Sequence, residues 1–362
     1  MKISFFFSDL RGGGVERVRI LLAHEFLKLG YEVDFVLLNK RGVLLSSAPK
    51  SVRIRSLDCS RMRNSFLPLS RYLKSENPDV LIASMWPLTS IAVLSKWVAR
   101  FKGRVILSEH VTISLSKQYV GFRKYLIRAS FRYVNYFADN LVGVSEGVCS
   151  DLLMLGANKN KLITIHNPAE ISTPKLLDCQ WKDHLWFKAS KDERLLAVGR
   201  LSKEKGFDVL IDAFFIVKQK KINAKLLILG EGSERPHLQL KIDQLGLCED
   251  VILAGFVTDP GSFYKEAGLF VLSSFVEGFG NVIVEALLSG VPVVATDCQS
   301  GPSEILLNGE FGNLVDVGDV NQLALKILVS LEEPIDPDRL RRRGLDFSPS
   351  MVAGKYIDLF HF

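Results

Sequence analysis

The chain has 362 residues, 48% hydrophobic and 24% charged, with a formal net charge of +6. That length exceeds one ordinary core and predicts two domains, and the composition excludes a disordered or fibrous protein. No apolar run reaches the ~18 residues that cross a bilayer. Cys59, Cys149, Cys179, Cys248 and Cys298 are scattered without a Cys-x-x-Cys pair, which argues for reduced thiols and against a zinc site or a disulfide framework.

The opening Met1–Asp9 segment is too short in apolar residues for a signal peptide and reads as a first strand, so the chain is expected to stay in the cytoplasm. Lys2–Ser8, Glu32–Leu38, Val80–Ala83, Val105–Ser108, Asn140–Val144 and Leu162–His166 are apolar without alternation, as parallel strands buried on both faces are. Helical patterns at Glu16–Leu29, Leu88–Val98 and Gly147–Leu155 separate them. Pro168–Asp192, with Pro174 and no periodicity, predicts an interdomain linker over 171–192. Strand patterns resume at Arg194–Val198, Ala224–Leu229, Val251–Ala254, Leu269–Leu272 and Val291–Ala295. Helical ones alternate with them at Gly206–Lys218, Pro236–Leu245, Asn281–Leu288 and Val320–Leu331. The class is therefore α/β, with a doubly wound parallel sheet in each of two domains, 1–170 and 193–349. Pro334–Pro349, which holds Arg341-Arg342-Arg343, predicts a break in helical structure. The amphipathic end, 350–362, is expected to pack back on the first domain.

Charge is divided unequally. Residues 1–170 hold 25 Lys+Arg and 13 Asp+Glu, a balance of +12, which leaves 21 and 27, or −6, for residues 171–362. The cations cluster at Lys50–Lys74 (Arg53, Arg55, Arg61, Arg63, Arg71) and at Lys117–Tyr133. In the second cluster Lys117, Arg123, Lys124, Arg128 and Arg132 alternate with Tyr119, Phe122, Tyr125, Phe131 and Tyr133. Cations interleaved with aromatics at helical spacing predict a face for an anionic membrane surface; the plain alternative is a solvated charged face over an aromatic core stripe. No nucleic-acid-binding motif accompanies the charge.

Glu277-Gly-Phe-Gly-Asn-Val-Ile-Val-Glu285 is the most informative segment. Its glycines allow φ > 0 and close approach of backbone to a ligand, and Asn281 reads as the N-cap of the following helix. A helix start attracts phosphate, and two acceptor-only carboxylates suit sugar hydroxyls, so the segment suits a nucleotide sugar. Gly199-Arg200-Leu201, followed by Lys205-Gly206, comes directly after a strand. Arg200 offers a planar fork and Lys205 a point charge for a diphosphate; the plain alternative is two solvated charges in a surface turn. In the first half, Gly12-Gly13-Gly14 lies between a strand and a helix without the dinucleotide fingerprint. Ser108-Glu109-His110 ends another strand, and His110 is the histidine most suited to donate to a phosphate or a sugar hydroxyl, although its position fits a bystander equally well. Asp336-Pro-Asp338 has the spelling of a metal motif but sits in a late Pro-rich stretch, so it is discounted as a metal site.

These residues, in this order over nearly the whole chain, resemble a retaining glycosyltransferase of family 4 with the GT-B architecture, two Rossmann-like domains facing across a cleft. The resemblance rests on the Glu277–Glu285 spacing, the Gly199–Gly206 turn, Gly12–Gly14, Val144-Ser145-Glu146-Gly147, His166-Asn167-Pro168 and Gly230-Glu231-Gly232. It implies that Arg200 and Lys205 grip the donor diphosphate, with Gly13 and Gly14 on the phosphate and acceptor side. It implies that Glu285 binds the ribose, that Glu277 contacts the donor sugar, and that the backbone at Phe279, Gly280, Asn281 and Val282 lines sugar and phosphates. Phe256 would face the base and His110 the reacting sugar, and no metal or other cofactor is expected, since the family usually needs none. The implied partners are a nucleotide-sugar donor, a UDP-hexose or UDP-N-acetylhexosamine, and a glycan or polyprenyl-diphosphate-linked acceptor of surface polysaccharide or oligosaccharide assembly. The enzyme would then be peripheral on the inner face of the cytoplasmic membrane. The alternatives are a non-catalytic nucleotide-sugar-binding protein and a sugar-nucleotide epimerase of the same architecture. Intact His110, Arg200, Lys205, Glu277 and Glu285 weigh against the first, and the Glu277–Glu285 spacing against the second.

Overall fold

Strand β1 (Lys2–Phe7) is buried along nearly its whole length, as its Ile-Ser-Phe-Phe-Phe run requires, and pairs in parallel with β2 (Glu32–Leu37) on one side and β4 (Val80–Ser84) on the other. Phe5 stands in register with Phe35 and Ile82. β3 (Arg53–Ser56), β5 (Arg104–Glu109), β6 (Asn140–Gly143) and β7 (Leu162–Thr164) complete a parallel sheet in the order β3-β2-β1-β4-β5-β6-β7. This is a computed structural model that describes residues 1–115, 119–171 and 184–360. It divides into two units, Met1–Ala169 with Ser348–Phe362 and Glu170–Phe347.

In the first unit one face of the sheet is covered by α1 (Gly14–Lys28) and by the C-terminal helix Pro349–Asp358. Val18, Leu22 and Phe26 of α1 lie one helical turn apart on the buried side, and Phe360 packs edge-on to Phe26 with ring centroids 5.5 Å apart. The other face carries α2 (Phe66–Glu76), α3 (Leu88–Ala99) and α4 (Arg123–Phe137). Helix α5 (Glu146–Met154) starts at Ser145, whose hydroxyl accepts from Val148 N at 3.1 Å and caps it.

The second unit repeats the plan with β8 (Arg194–Val198), β9 (Lys225–Leu229), β10 (Val251–Gly255), β11 (Leu269–Leu272), β12 (Val293–Thr296) and β13 (Asn313–Val315), in the order β10-β9-β8-β11-β12-β13. Its core gathers apolar residues from these strands and from the helices Phe207–Lys218 and Val320–Glu332. Among the described residues no helix is long and apolar enough to cross a membrane.

Two expectations need correction. The end of the expected linker is part of the second unit: Trp186 is fully buried, and its indole donates to Leu195 O at 2.9 Å. Pro174, Cys179 and the rest of 172–183, with Lys117 and the last two residues, lie outside the described residues. Pro334–Pro349 is not a break but contains a helix, Pro337–Leu345, which Asp336 caps by accepting from Asp338 N at 3.1 Å. Proline at a first helical position is a start signal. In the Lys50–Lys74 cluster, Arg53 is tied to Asp34 and Glu76, and Arg55 to Glu76, carboxylates that Lys2 also shares.

Candidate active site

Parallel strands point all their carboxyl ends to one edge, and a doubly wound sheet opens a crevice there where the strand order reverses. In the second sheet that point falls between β8 and β11. The loop after β8 is Gly199–Lys205 and the loop after β11 is Ser273–Gly280, so residues far apart in sequence become neighbours. Ser273 Oγ donates to Lys205 O at 2.9 Å, and Phe275 N to Glu204 O at 2.9 Å. Across this seam Lys205 Nζ donates to Glu277 Oε1, which also accepts from Ser274 Oγ at 2.7 Å. Both side chains of the pair are mostly buried, 24% and 10% exposed. Arg200 is exposed on the same loop.

The loops are held by approaches only glycine permits. A methyl group on Gly230 would lie 1.8 Å from Gly199 O, and one on Gly301 would lie 1.8 Å from Phe279 O. The Gly230–Gly232 turn therefore braces the Arg200 loop from one side, with Leu201 N donating to Glu231 O at 3.0 Å. The Gly301 turn braces the Glu277 loop from the other.

Helix Asn281–Leu288 begins at Gly280, which has φ +98° and is itself the N-cap; Asn281 is the first helical residue and not the cap expected from its side chain. The aromatic ring of Phe279 is buried against Phe347 at 5.5 Å, so only the backbone there can face a ligand. Val282 is half-buried in the first turn. Glu285, one turn along, accepts from the hydroxyl of Tyr264, a fully buried residue, at 2.9 Å. Phe256 follows β10 on the same edge, half exposed at 51%. Cys298 lies beneath the pair, and burial, with Glu277 nearby, pushes its thiol up to about 12. Arg343, 13% exposed, donates to Glu304 O and Ile305 O at 2.8 Å each and fixes the segment behind Gly301. Part of the late arginine run is thus structural.

In the first unit the corresponding edge carries Gly13 and Gly14 at the start of α1, where the Glu16 carboxylate lies against Gly13. His110, 7% exposed, follows β5. Its Nε2 lies 2.8 Å from Arg19 Nη2 and 3.0 Å from Ser108 Oγ, and Ser108 Oγ in turn lies 3.3 Å from the Tyr356 hydroxyl of the C-terminal helix. Burial, then the Arg19 charge, lowers the His110 pKa well below the ordinary value, with Asn167 acting the other way. Glu109 points to the opposite face of the strand, as adjacent strand residues must, and takes bonds from Trp86 N at 2.9 Å and Thr89 Oγ1 at 2.8 Å. Burial pushes its pKa up to about 7. Arg19, Tyr264, Ser274 and Tyr356 carry no motif signal; only the sheet order and helix packing bring them to these sites.

Residues 12–173 match the family model "Glycosyltransferase Family 4", and residues 184–346 match "Glycosyl transferases group 1". An N-acetylgalactosaminyltransferase of Campylobacter jejuni, named for the substrate N-acetylgalactosamine-N,N'-diacetylbacillosaminyl-diphospho-undecaprenol, is 28% identical over 94% of this chain and 92% of its own. The amylovoran biosynthesis glycosyltransferase AmsD of Erwinia amylovora is 28% identical over 96% of each. The solved structure of Anabaena Alr3699/HepE with UDP and glucose covers 99% of this chain and 98% of its own, with a TM-score of 0.81 at 20% identity. The fold is accordingly GT-B, and the chain belongs to the family 4, group 1 glycosyltransferases.

Proposed function

We propose that this enzyme moves a hexose or N-acetylhexosamine from a UDP-sugar to a glycan or polyprenyl-diphosphate-linked acceptor, with retention of anomeric configuration and without a metal. The observation that carries the reading is the Lys205–Glu277 pair at the β8/β11 crevice, beside a helix start. Arg200, Lys205 and the N–H groups at that helix start meet the diphosphate, Glu277 the donor sugar, and Glu285 the ribose. As the bond from the anomeric carbon to the β-phosphate oxygen breaks, negative charge grows on that oxygen. Once the donor has replaced the Lys205–Glu277 bond, cations and N–H donors held against that oxygen would stabilise it. The acceptor oxygen bonds the anomeric carbon on the same face, and its proton passes to the departing phosphate oxygen, so no protein nucleophile is needed. The relative named for a diphospho-undecaprenol substrate and the neighbour solved with UDP support the choice of acceptor and nucleotide.

The membrane part of the reading rests on α4. Its inner face is core, with Ile127, Phe131 and Val134 each 1% exposed, yet Phe122, Tyr125, Leu126 and Tyr136 stand 75%, 58%, 56% and 78% exposed on the outside. Single exposed apolar residues are ordinary on a surface, whereas several together on one helix mark an interaction face. Trp97 of α3, 66% exposed, rims a shallow groove of about 670 Å³ beside it, and neither helix contains an acidic residue. Exposed aromatics flanked by arginines suit the headgroup region of an anionic bilayer on its cytoplasmic side.

Titrating uridine, guanosine and adenosine diphosphates, then following transfer from the matching sugar nucleotides to membrane-extract lipids, tests the chemistry. Arg200→Ala and Lys205→Ala should each slow transfer on the order of 10²-fold; unchanged kinetics in both would remove these residues from the site. For the membrane, the chain should bind anionic vesicles and leave neutral ones, less so as salt rises. Charge reversal at Arg123 and Arg132 should abolish that binding and spare UDP binding. Arg128 is avoided because it donates to Met154 O. Equal partitioning to both vesicle types would overturn the membrane reading alone.

A further inference from the structure

Arg19 is completely buried and, among the described residues, bonded to no carboxylate. Nε donates to Ser84 Oγ at 2.8 Å, Nη2 reaches His110 Nε2 at 2.8 Å, and Nη1 has no partner. The rings of Phe5 and Tyr356 lie 5.5 and 6.0 Å from the guanidinium carbon and offset part of the desolvation. A buried charge without a counter-ion is costly, so stability does not account for it.

Its chemistry constrains its neighbour. A guanidinium holds only donors and never deprotonates in proteins, so an atom that hydrogen-bonds to it must offer a lone pair. His110 Nε2 therefore carries no hydrogen, and the proton of the neutral ring sits on Nδ1. Ser108 Oγ, 3.0 Å from the same Nε2, is consistent as a second donor. The charged imidazolium would set an N–H against the guanidinium in a dry site. Among the described residues Nδ1 has no partner at full hydrogen-bond geometry, and Asn167 lies close enough to favour ring protonation.

We propose that Arg19 is a positioning residue that locks His110 as its neutral Nδ1–H tautomer, so that the histidine serves transfer as a fixed hydrogen-bond donor and not as a proton acceptor. The tautomer stands on geometry alone; its use toward a hydroxyl or phosphate oxygen of the substrate rests on the transferase reading. The acceptor proton must then leave by another route, such as the departing phosphate.

Long-range proton–nitrogen correlation on the full chain labelled with ¹⁵N-histidine tests the lock, with His110 identified by the signals lost in His110→Asn. The wild type should show a bare Nε2 and a protonated Nδ1, unchanged between about pH 6 and pH 8. Arg19→Met should let the proton populate Nε2 and raise the pH at which the ring titrates. Transfer should fall on the order of tenfold, one hydrogen bond's worth, while UDP affinity stays the same. Arg19→Lys, which keeps a donor, should recover the Nδ1–H form and most of the rate, and it serves if the methionine variant does not fold. A proton on Nε2 or a charged ring in the wild type would overturn the lock. A shifted tautomer with an unchanged rate would overturn its role in transfer. Absence of UDP binding in the wild type would instead strike at the proposed function and leave the tautomer standing.

Discussion

Glu109 lies at the end of β5, 2% exposed, in a pocket whose donors are Trp86 N and Thr89 Oγ1. Desolvation pushes its pKa up from 4.5 to about 7; the two donors counter this only in part, and buried Asp151 adds to it. Unfolded, the group returns to its ordinary value, so between pH 4.5 and about 7 the folded state binds the proton more tightly. Stability therefore falls as pH rises through that window, and the loss is complete above it. At about 1.4 kcal/mol per pH unit, the full cost of the charged carboxylate is about 3 kcal/mol. Glu109→Gln removes the titration without removing the bonds: the amide oxygen can accept from Trp86 N and the amide nitrogen can donate to the Thr89 hydroxyl. The variant should be more stable than wild type at about pH 8, by up to about 3 kcal/mol, with the advantage shrinking toward zero near pH 5. Hydrogen exchange in graded urea, read on β5 and α3 peptides with both proteins at the same pH, measures the difference locally, since the two units need not unfold together. A difference that does not change with pH, or a wild type more stable at pH 8, would mean that the donors hold the charged carboxylate after all.

Other perturbations separate the roles at the donor site. Glu277→Gln frees Lys205 from its carboxylate, so UDP should bind as well or better in a titration while transfer falls on the order of 10²-fold; parallel losses of both would show that the pair is only structural. Tyr264→Phe removes the 2.9 Å bond to Glu285 and should raise the donor KM roughly fivefold with little change in kcat, about 1 kcal/mol for one hydrogen bond; a kcat loss of equal size would refute a ribose role for Glu285. Transfer should persist in excess chelator if, as proposed, cations and helix N–H groups meet the diphosphate charge; complete loss restored by manganese would overturn this.

The strands were legible because parallel strands buried on both faces must be continuously apolar, and Phe5, Ile82, Leu227 and Val294 sit in such runs at full burial. Edge strands escape that rule. In β3 only alternate residues turn inward, so Arg53-Ile54-Arg55-Ser56 reads as a charge run until Asp34 and Glu76 are found beside it. β13 is three residues long and offers too little pattern. The Pro337–Leu345 helix was hidden because proline stops a helix in its interior but starts one at its first position. At the sites, residue type and spacing indicated Lys205, Glu277 and Glu285, yet their mates could not be read. Tyr264 meets Glu285 through a short helix outside the motif. Arg19 looks like one more charge on an amphipathic helix, and only packing beneath Tyr356 reveals that it is sealed.

Lys205 and Glu277 are 72 residues apart, and they meet because β11 returns to the sheet beside β8 instead of beside β10. The first sheet makes the same reversal between β1 and β4. There α1, which leaves β1, carries Arg19 to Ser84 at the end of β4. In each unit the polar groups that matter are thus joined across the point where the winding changes direction. In the second unit, on the proposed donor site, the consequence would be selective. Each member of a mostly buried ion pair holds the other's charge, so a ligand that takes one must satisfy the one it leaves. A bare phosphate can draw Lys205 away but offers nothing to Glu277. A sugar attached to a diphosphate brings anionic oxygens for the ammonium and hydroxyl donors for the carboxylate, and it can replace both halves of the bond at once. Discrimination of this kind comes from the group a wrong ligand would strand, not from added attraction to the right one. At the proposed site it would favour the intact sugar nucleotide over its fragments before any contact to the base is counted.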